Sequence, residues 1–320
     1  MADPRTIIGM FREPFGGCEA GLFDILGHGE DVRPKLRCAL AAPASEPIGA
    51  VYRRVLTAGG VKPTDVLVVG VAGQDETWEH LLKAFARPVS CDFDLAERVM
   101  GGNGFGIFAW PDWRLLHHER WSRVLVHLGD VASMSVVGSA AAACEVQSFH
   151  LGPGMAMLEQ FGPEAEDSFH AALLNELSAH PYFRVEPPKS TNPYEWAGRY
   201  VERLRLMAEK HNCDECRLVA TLEELVAWSV ENAVGRLTER PHDVILCGRG
   251  AERERLAARI RRRMCPSGTV GSEKIGLSVR AVRPAAAAML AAARLDGYPA
   301  HVPSAGGADS AVCLGRYVKP

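Results

Sequence analysis

Residues 123–138 read RVLVHLGDVASMSVVG, two apolar runs joined by the turn Leu128-Gly-Asp-Val-Ala132. The runs are rich in β-branched residues, and this pattern predicts strands at 123–128 and 133–138. A glycine turn at the end of a buried strand presents backbone N–H groups, which are suited to holding an anion. The stretch therefore predicts a sheet with a candidate anion site at its turn.

Similar apolar runs and longer helix-like stretches alternate along the chain. Three more strands are predicted, at 6–10, 66–71 and 243–247. The predicted helices are 47–58, 77–86, 164–179, 194–210, 222–237 and 253–264, and an alanine-rich helix is expected at 284–294. This alternation indicates an α/β fold whose sheets are covered by helices. Residues 181–193 contain four prolines and predict an ordered loop, with a domain boundary just before it at 152–162.

The composition is that of a globular chain with little net charge. Its 320 residues are 47% hydrophobic and 23% charged, which suits two compact domains with separate cores. A formal net charge of −3 provides no general attraction to nucleic acid or anionic lipid. No apolar run reaches the roughly 18 residues of a membrane span, and residues 1–8 lack the pattern of a secretory signal. We expect a cytoplasmic protein that binds neither nucleic acid nor membranes.

The nine cysteines show no framework spacing, which predicts reduced thiols. Cys213 and Cys216 form a CxxC pair that has two interpretations, a metal or redox role and two incidental loop thiols. A closed zinc site needs four ligands, and the stretch from His211 to Cys216 supplies at most three. No metal site is predicted.

Two further glycine turns are candidate binding elements. Gly101-Gly-Asn-Gly-Phe-Gly106 has a dinucleotide-like spacing but does not join a strand to a helix in a βαβ unit. Cys247-Gly-Arg-Gly-Ala251 follows one predicted strand and precedes a predicted helix, so a nucleotide would lie at the carboxyl end of that strand. Most glycine turns after strands have no ligand, and a Walker P-loop is absent from the sequence.

Taken in order, these segments resemble the anhydro-N-acetylmuramic acid kinase family of the actin, hexokinase and Hsp70 superfamily. The resemblance is carried by Cys91-Asp-Phe-Asp, Gly101-Gly-Asn-Gly, Val126-His-Leu-Gly-Asp-Val-Ala132, Ser148-Phe-His-Leu-Gly-Pro-Gly154, Pro187-Pro-Lys-Ser-Thr191 and Leu246-Cys-Gly-Arg-Gly-Ala251. It spans nearly the whole chain and implies two actin-like (ribonuclease H-like) α/β domains with a cleft between them. The implied domains are 1–155 and 156–320, with the C-terminal tail packing back on the first.

The resemblance also implies an activity and a set of site residues. Family members are expected to use Mg-ATP to open the 1,6-anhydro bridge of the sugar and phosphorylate O6 in cell-wall recycling. The implied nucleotide contacts are Gly129, Asp130, Gly248, Arg249 and Gly250. The implied sugar contacts are Gly101, Gly102, Asn103, Lys189, Ser190 and Thr191, of which the last three have loop stabilisation as the alternative role. A small sugar ligand and a homodimer are the expected partners.

Several chemical residues depart from the family pattern. Where the family motif runs Phe-Asp-Thr-Gly-Pro-Gly, with the aspartate as catalytic base, this chain has His150, either a replacement base or a structural histidine. The phosphate hairpin becomes Gly9-Met-Phe-Arg-Glu-Pro-Phe-Gly-Gly17, in which Glu13 would repel phosphate unless a metal or Arg12 compensates. Arg249 replaces a glycine and would either occlude the nucleotide pocket or grip a phosphate. Arg283 aligns with a glutamate expected to face the sugar.

These substitutions leave two hypotheses about function. In the first, the chain is a degenerate kinase homologue in which Mg-ATP binding is weakened or lost and which acts by binding a ligand or a partner. In the second, it is an active sugar kinase with a rewired site that uses His150 or Asp130 as base and Arg12 or Arg249 on phosphate.

Overall fold

The computed structural model describes residues 3–73, 77–162 and 166–320. Its strands are β1 (Arg5–Glu13), β2 (Gly17–Leu26), β3 (Arg33–Ala42), β4 (Val68–Gly73), β5 (Val89–Cys91), β6 (Arg123–Leu128), β7 (Val131–Val137), β8 (Gln147–Pro153), β9 (Asp243–Cys247), β10 (Gly268–Gly271) and β11 (Arg316–Val318). Its α-helices are α1 (Ile48–Gly59), α2 (Trp78–Phe85), α3 (Phe93–Val99), α4 (Ala109–Leu116), α5 (Met155–Leu158), α6 (Ala171–Ser178), α7 (Arg199–Lys210), α8 (Glu215–Val234), α9 (Glu254–Met264), α10 (Val282–Leu295) and α11 (Pro303–Gly306).

The strands form two mixed sheets built on one repeated plan. The first has the order β11-β5-β4-β1-β2-β3, and the second has the order β10-β9-β6-β7-β8. In each sheet three consecutive strands pair antiparallel: β1, β2 and β3 in the first sheet, and β6, β7 and β8 in the second. A later strand then pairs parallel with the first of the three, and a further strand pairs parallel with that one: β4 and β5 in the first sheet, β9 and β10 in the second. Helices connect the parallel strands, as the geometry of parallel pairing requires. The predicted α/β fold with two sheets is confirmed.

The five predicted strands are confirmed, with small shifts of their ends. The sequence pattern missed β2, β3, β5, β8, β10 and β11. Strand β2 was missed because Glu19 and Asp24 interrupt its apolar run, and β3 because it is an edge strand that begins with Arg33-Pro34. An edge strand is half solvated and needs no continuous apolar run.

Three predicted helices differ at their amino-terminal ends. The helix expected at 164–179 begins at Ala171, where the His170 side chain accepts the Leu173 N–H at 3.2 Å; residue 164 itself lies outside the described residues. The helix expected at 222–237 begins seven residues earlier, because Asp214 caps it by accepting the Arg217 N–H at 2.9 Å. The helix expected at 194–210 begins at Arg199, after a separate 3₁₀ turn.

Apart from β11, the strands up to Cys91 form the first sheet and the strands from Arg123 onward form the second. Strand β7 pairs with β6 and with β8, and β6 pairs with β9. The domain boundary expected at residue 155 stays a prediction. At the other end of the chain, β11 pairs antiparallel with β5 of the first sheet. Within the three described ranges, no helix is long and apolar enough to cross a membrane.

Helix α10 packs closely on the first sheet. Its alanines share one buried cluster with Ile7 and Val68 of the first sheet and with Leu125 and Ile245 of the second. The small side chains bring the helix backbone so near to β1 that a Cβ at Gly9 would collide with the carbonyl oxygen of Pro284. This close packing holds the start of α10, and with it Arg283, against the ends of both sheets.

We predict that Gly9→Ala lowers the free energy of unfolding by about 1–3 kcal/mol, because neither β1 nor the α10 backbone has room for the added methyl group. Gly138→Ala is the matched control, since its Cβ would meet only the Ala141 side chain at an ordinary 3.6 Å. The control is expected to change the free energy by less than about 0.5 kcal/mol in urea unfolding. Equal effects of the two substitutions would contradict the packing described.

Candidate functional site

A cleft of about 660 Å³ is lined by residues from both sheets. The ends of β1 and β4 form one side, and β6, β7 and β8 form the other. Five of the predicted site residues line it: Asn103, Asp130, His150, Ser190 and Thr191. Within the described ranges, seven others lie outside its lining: Gly101, Gly102, Gly129, Lys189, Gly248, Arg249 and Gly250. The cleft therefore brings together part of the predicted sugar site with the position of the predicted base.

The residues outside the cleft have structural contacts. Gly101 adopts a φ of 84° at the end of α3, and the Gly102 N–H donates to the Glu97 carbonyl at 3.0 Å. Lys189 lines a second cavity of about 440 Å³. Its ammonium group donates to the Tyr182 carbonyl at 3.3 Å and lies 4.7 Å from the centre of the Tyr182 ring. These contacts suit loop stabilisation, the alternative role for Lys189.

Arg249 is the centre of an ion cluster, here called the Arg249 cluster, formed with Glu13, Asp130 and Glu159. The guanidinium donates to all three carboxylates, and its Nε reaches Glu159 at 2.9 Å. Only 5% of the Arg249 side chain is exposed. Each partner comes from a different segment: the end of β1, the β6–β7 turn and the residue after α5. The Arg249 cluster thus fills the space where these segments meet.

Carboxylate oxygens also accept backbone N–H groups of the two turns predicted to hold phosphate, the β6–β7 turn and the hairpin after β1. Glu13 Oε1 accepts the Asp130 N–H at 2.7 Å, and Asp130 Oδ2 accepts the Phe15 N–H at 2.8 Å. A Cβ at Gly129 would collide with the Glu13 carboxylate, so no space remains above that glycine. Two N–H groups of these turns, those of Asp130 and Phe15, are thus satisfied by the chain itself.

Burial shifts the pKa values of two acids of the Arg249 cluster upward. Burial raises the pKa of Glu13 to about 7, even though Arg249 opposes the shift. Burial also raises the pKa of Asp130, and its carboxylate depends on Arg249 for charge compensation. Three carboxyl groups share one guanidinium, so the cluster offers no excess positive charge to a phosphate.

His150 lies on β8 and faces the cleft as a neutral imidazole. Burial, followed by the positive charge of Arg283, lowers the pKa of His150 to about 3. The Thr191 N–H donates to Nδ1 at 3.0 Å, which assigns the single ring proton to Nε2. The ring also lies against Phe105, with centroids 4.1 Å apart. The lone pair of Nδ1 is therefore used to hold the 190–192 loop.

Arg283 forms a buried ion pair at the base of the cleft. Its Nη1 donates to both carboxylate oxygens of Asp112, at 2.9 and 3.0 Å, and its guanidinium lies over the Phe108 ring at 4.2 Å. The Ser135 hydroxyl donates to the same carboxylate at 2.5 Å. Arg283 is held by these contacts as part of the scaffold while it lines the cleft.

The CxxC thiols lie away from the cleft. Cys213 is buried and Cys216 is partly exposed, and both are free thiols. Across residues 3–73, 77–162 and 166–320, no group of three or more His, Cys, Asp or Glu side chains is arranged to hold a metal ion. A redox role for the pair stays a hypothesis without a structural test.

Sequence reasoning missed the residues that complete the site. It anticipated that Glu13 needs a compensating cation and named Arg12 for that role. In the structure the cation is Arg249. The Arg12 Nη2 donates to the Ala44 carbonyl at 3.1 Å. Glu159 and Asp112 carry no motif, and only their chain-distant contacts with Arg249 and Arg283 bring them into the site. The sequence did contain one indication of the Arg249–Glu13 ion pair: two charged residues of opposite sign, both at positions where the family pattern is different.

The two sheets and the cleft define the actin-like ATPase fold class. The solved structure of (R)-2-hydroxyglutaryl-CoA dehydratase component A from Acidaminococcus fermentans superposes with a TM-score of 0.50 at 13% identity, over 89% of this chain and 96% of that one. Within this class, residues 79–320 match the family model described as anhydro-N-acetylmuramic acid kinase. The chain belongs to the anhydro-N-acetylmuramic acid kinase family.

Curated relatives agree with this family. The chain is 31% identical over 238 residues to anhydro-N-acetylmuramic acid kinase of Gloeobacter violaceus, covering 70% of this chain and 62% of that protein. It is 27% identical over 322 residues to the protein of the same name from a Cyanothece strain, covering 93% and 83%. The match thus spans a little under two thirds of the first relative and most of the second.

We predict that Arg249→Ala lowers the free energy of unfolding by about 3–5 kcal/mol, because it leaves buried carboxylates without their cation. Arg261→Ala is the matched control: Arg261 pairs with Glu254 at 2.9 Å, and both side chains are exposed. The control is expected to lose no more than about 1 kcal/mol in urea unfolding at pH 7.5. Similar losses for the two variants would contradict the central position of Arg249.

Proposed function

We propose that this chain is a ligand-binding homologue of the kinases that does not transfer a phosphoryl group. The observation that carries the proposal is the Arg249 cluster, which fills the meeting point of the three turns expected to hold a nucleotide. The first of the two sequence hypotheses is therefore the one that the geometry favours.

The residues present do not fit Mg-ATP in the pose that the family implies. A phosphate at the β6–β7 turn or at the hairpin after β1 would have to displace Glu13 from the Asp130 N–H and Asp130 from the Phe15 N–H. Each displaced carboxylate would then lie beside the phosphate, where like charges repel strongly in a buried site. Displacement also breaks the ion pairs that compensate Arg249.

The position of the family's catalytic base is also unsuited to proton abstraction. A protonated His150 would place a second positive charge beside Arg283 in a buried site, and its Nδ1 already accepts the Thr191 N–H. Asp130, the other candidate base, is bound to Arg249 and to the Phe15 N–H. Both candidates thus have structural partners in place of a water or a hydroxyl.

The cleft itself is open and suited to a small ligand. Its volume of about 660 Å³ lies within the usual range for small-molecule sites. Aromatic side chains and hydroxyl groups line it together, which is the mixture that a sugar needs. We propose that the cleft binds a sugar-like ligand. We also propose that the chain is a cytoplasmic homodimer whose domains are those that the resemblance implies, 1–155 and 156–320.

The test is an ADP-release assay with the full chain, Mg-ATP and anhydro-N-acetylmuramic acid. We expect no ADP above the protein-free background, because carboxylates of the chain occupy the Asp130 and Phe15 N–H groups and because both candidate bases have structural partners. The Gloeobacter violaceus relative, assayed in parallel, is the positive control. ADP formation that rises with protein concentration would contradict this proposal and support the rewired kinase, and its loss in His150→Ala would identify His150 as the base.

A further inference from the structure

The second cavity lies at the outer edge of the second sheet, and the described residues that line it are all different from those that line the cleft. Its volume of about 440 Å³ is within the usual range for small-molecule sites. One wall is formed by β8, which is the last strand of its sheet in the described part of the chain. The 185–189 segment forms another wall, and residues of α8 and α11 close the sides. We call it the edge cavity.

The N–H and C=O groups of Ser148 point outward from the edge of β8. Two residues further along, the His150 N–H donates outward to the Lys189 carbonyl at 3.1 Å, and the Tyr182 hydroxyl donates to the His150 carbonyl at 3.0 Å. The register with β7 is regular from His150 to Ser148, and backbone groups alternate between the two edges of a strand. Ser148 lines the edge cavity, and no residue of the described ranges bonds its outward N–H or C=O group.

The sequence of the 185–189 segment explains why this edge is open. The segment meets β8 at Lys189, but the residues before it are Pro187 and Pro188, which have no N–H group to donate. A hydrogen-bonded ladder therefore cannot continue along β8 toward Ser148. Ser148 is only 1% exposed, and buried backbone groups in proteins are nearly always paired. An open edge of this kind is suited to accepting an added strand.

Charged side chains lie on either side of Ser148 along this edge. Lys189 lies beyond its carboxyl-terminal side, and no carboxylate of the described residues forms an ion pair with the Lys189 ammonium group, which contacts a carbonyl and an aromatic ring. Glu145 is exposed and precedes the start of β8 on the other side. The remaining charges of the lining, Arg236 and Glu186, compensate each other at 2.9 Å. The edge thus has a cation at one end and an anion at the other.

We propose that the edge cavity binds a short peptide with free termini, which lies as an added strand parallel to β8. For a tripeptide, the first carbonyl accepts the Ser148 N–H and the third N–H donates to the Ser148 carbonyl, as in a parallel ladder. The peptide carboxylate then meets Lys189 and its ammonium group meets Glu145, so these two charges set the direction of the peptide. This site is separate from the cleft and does not depend on whether the chain binds Mg-ATP.

Isothermal titration of the full chain with three peptides tests the inference. Trialanine carries both terminal charges, trialaninamide lacks the carboxylate, and N-acetyl-trialanine lacks the ammonium group. We expect trialanine to bind at one site and each blocked form to bind about tenfold more weakly, the loss of a hydrogen bond to a charged group. Absence of trialanine binding at millimolar concentration, or equal affinities of the three peptides, overturns the inference.

A pair of lysine variants separates recognition from stability. Lys189→Gln is expected to weaken binding of trialanine about tenfold and to leave the affinity for trialaninamide unchanged. Lys210→Gln is the matched control, because Lys210 pairs with Glu176 at the surface and lines neither the cleft nor the edge cavity. A purely structural role of Lys189 would lower the affinity for both peptides equally. That result, or the same loss in both variants, overturns the inference.

Glu145→Gln provides an independent test at the other end of the peptide. Glutamine keeps an oxygen that can accept the Ala142 N–H, which Glu145 accepts at 2.7 Å. The variant is expected to weaken trialanine about tenfold and to leave N-acetyl-trialanine unchanged, because only the free ammonium group needs the carboxylate. Equal changes for these two peptides overturn the assignment of the ammonium group to Glu145 and, with it, the proposed direction of the peptide.

Discussion

The ion cluster around Arg249 is the interaction on which the chemistry of this fold depends. One guanidinium holds carboxylates from the end of β1, from the β6–β7 turn and from the segment after α5, and it thereby joins the two sheets. A buried guanidinium with this many carboxylate partners is difficult to displace, because removing any partner leaves a charge uncompensated. The carboxylates that Arg249 holds also accept the Asp130 and Phe15 N–H groups, and this is the basis of the proposal that phosphate does not bind there.

The rest of the cleft follows from the close packing of α10. Its alanines allow the helix backbone to touch β1 and β4 at Gly9 and Gly70, and this contact fixes Arg283 beside Asp112 and Phe108. Arg283 thereby lines the base of the cleft as one half of a buried ion pair. The cleft combines this compensated cation with neutral imidazoles and a hydroxyl.

The sequence predicted the fold better than it predicted the site. Glycine turns and apolar runs specified β6, β7 and β9 closely, because buried strands leave a strong local pattern. The partners of Arg249 and Arg283 left no such pattern, since Glu159 and Asp112 reach them only through contacts distant in the chain. Sequence could show that Arg249 and Glu13 were out of place in a kinase, but their compensation by each other required the three-dimensional arrangement.

The most direct test of the account is a Mg-ATP titration followed by the amide chemical shifts of Phe15 and Asp130 in the ¹H–¹⁵N NMR spectrum. These two N–H groups donate to Asp130 and Glu13 in the structure, so the account predicts that neither resonance moves at millimolar Mg-ATP. Saturable shifts of both resonances would show that nucleotide displaces the carboxylates, and they would contradict the claim that the Arg249 cluster closes the phosphate site.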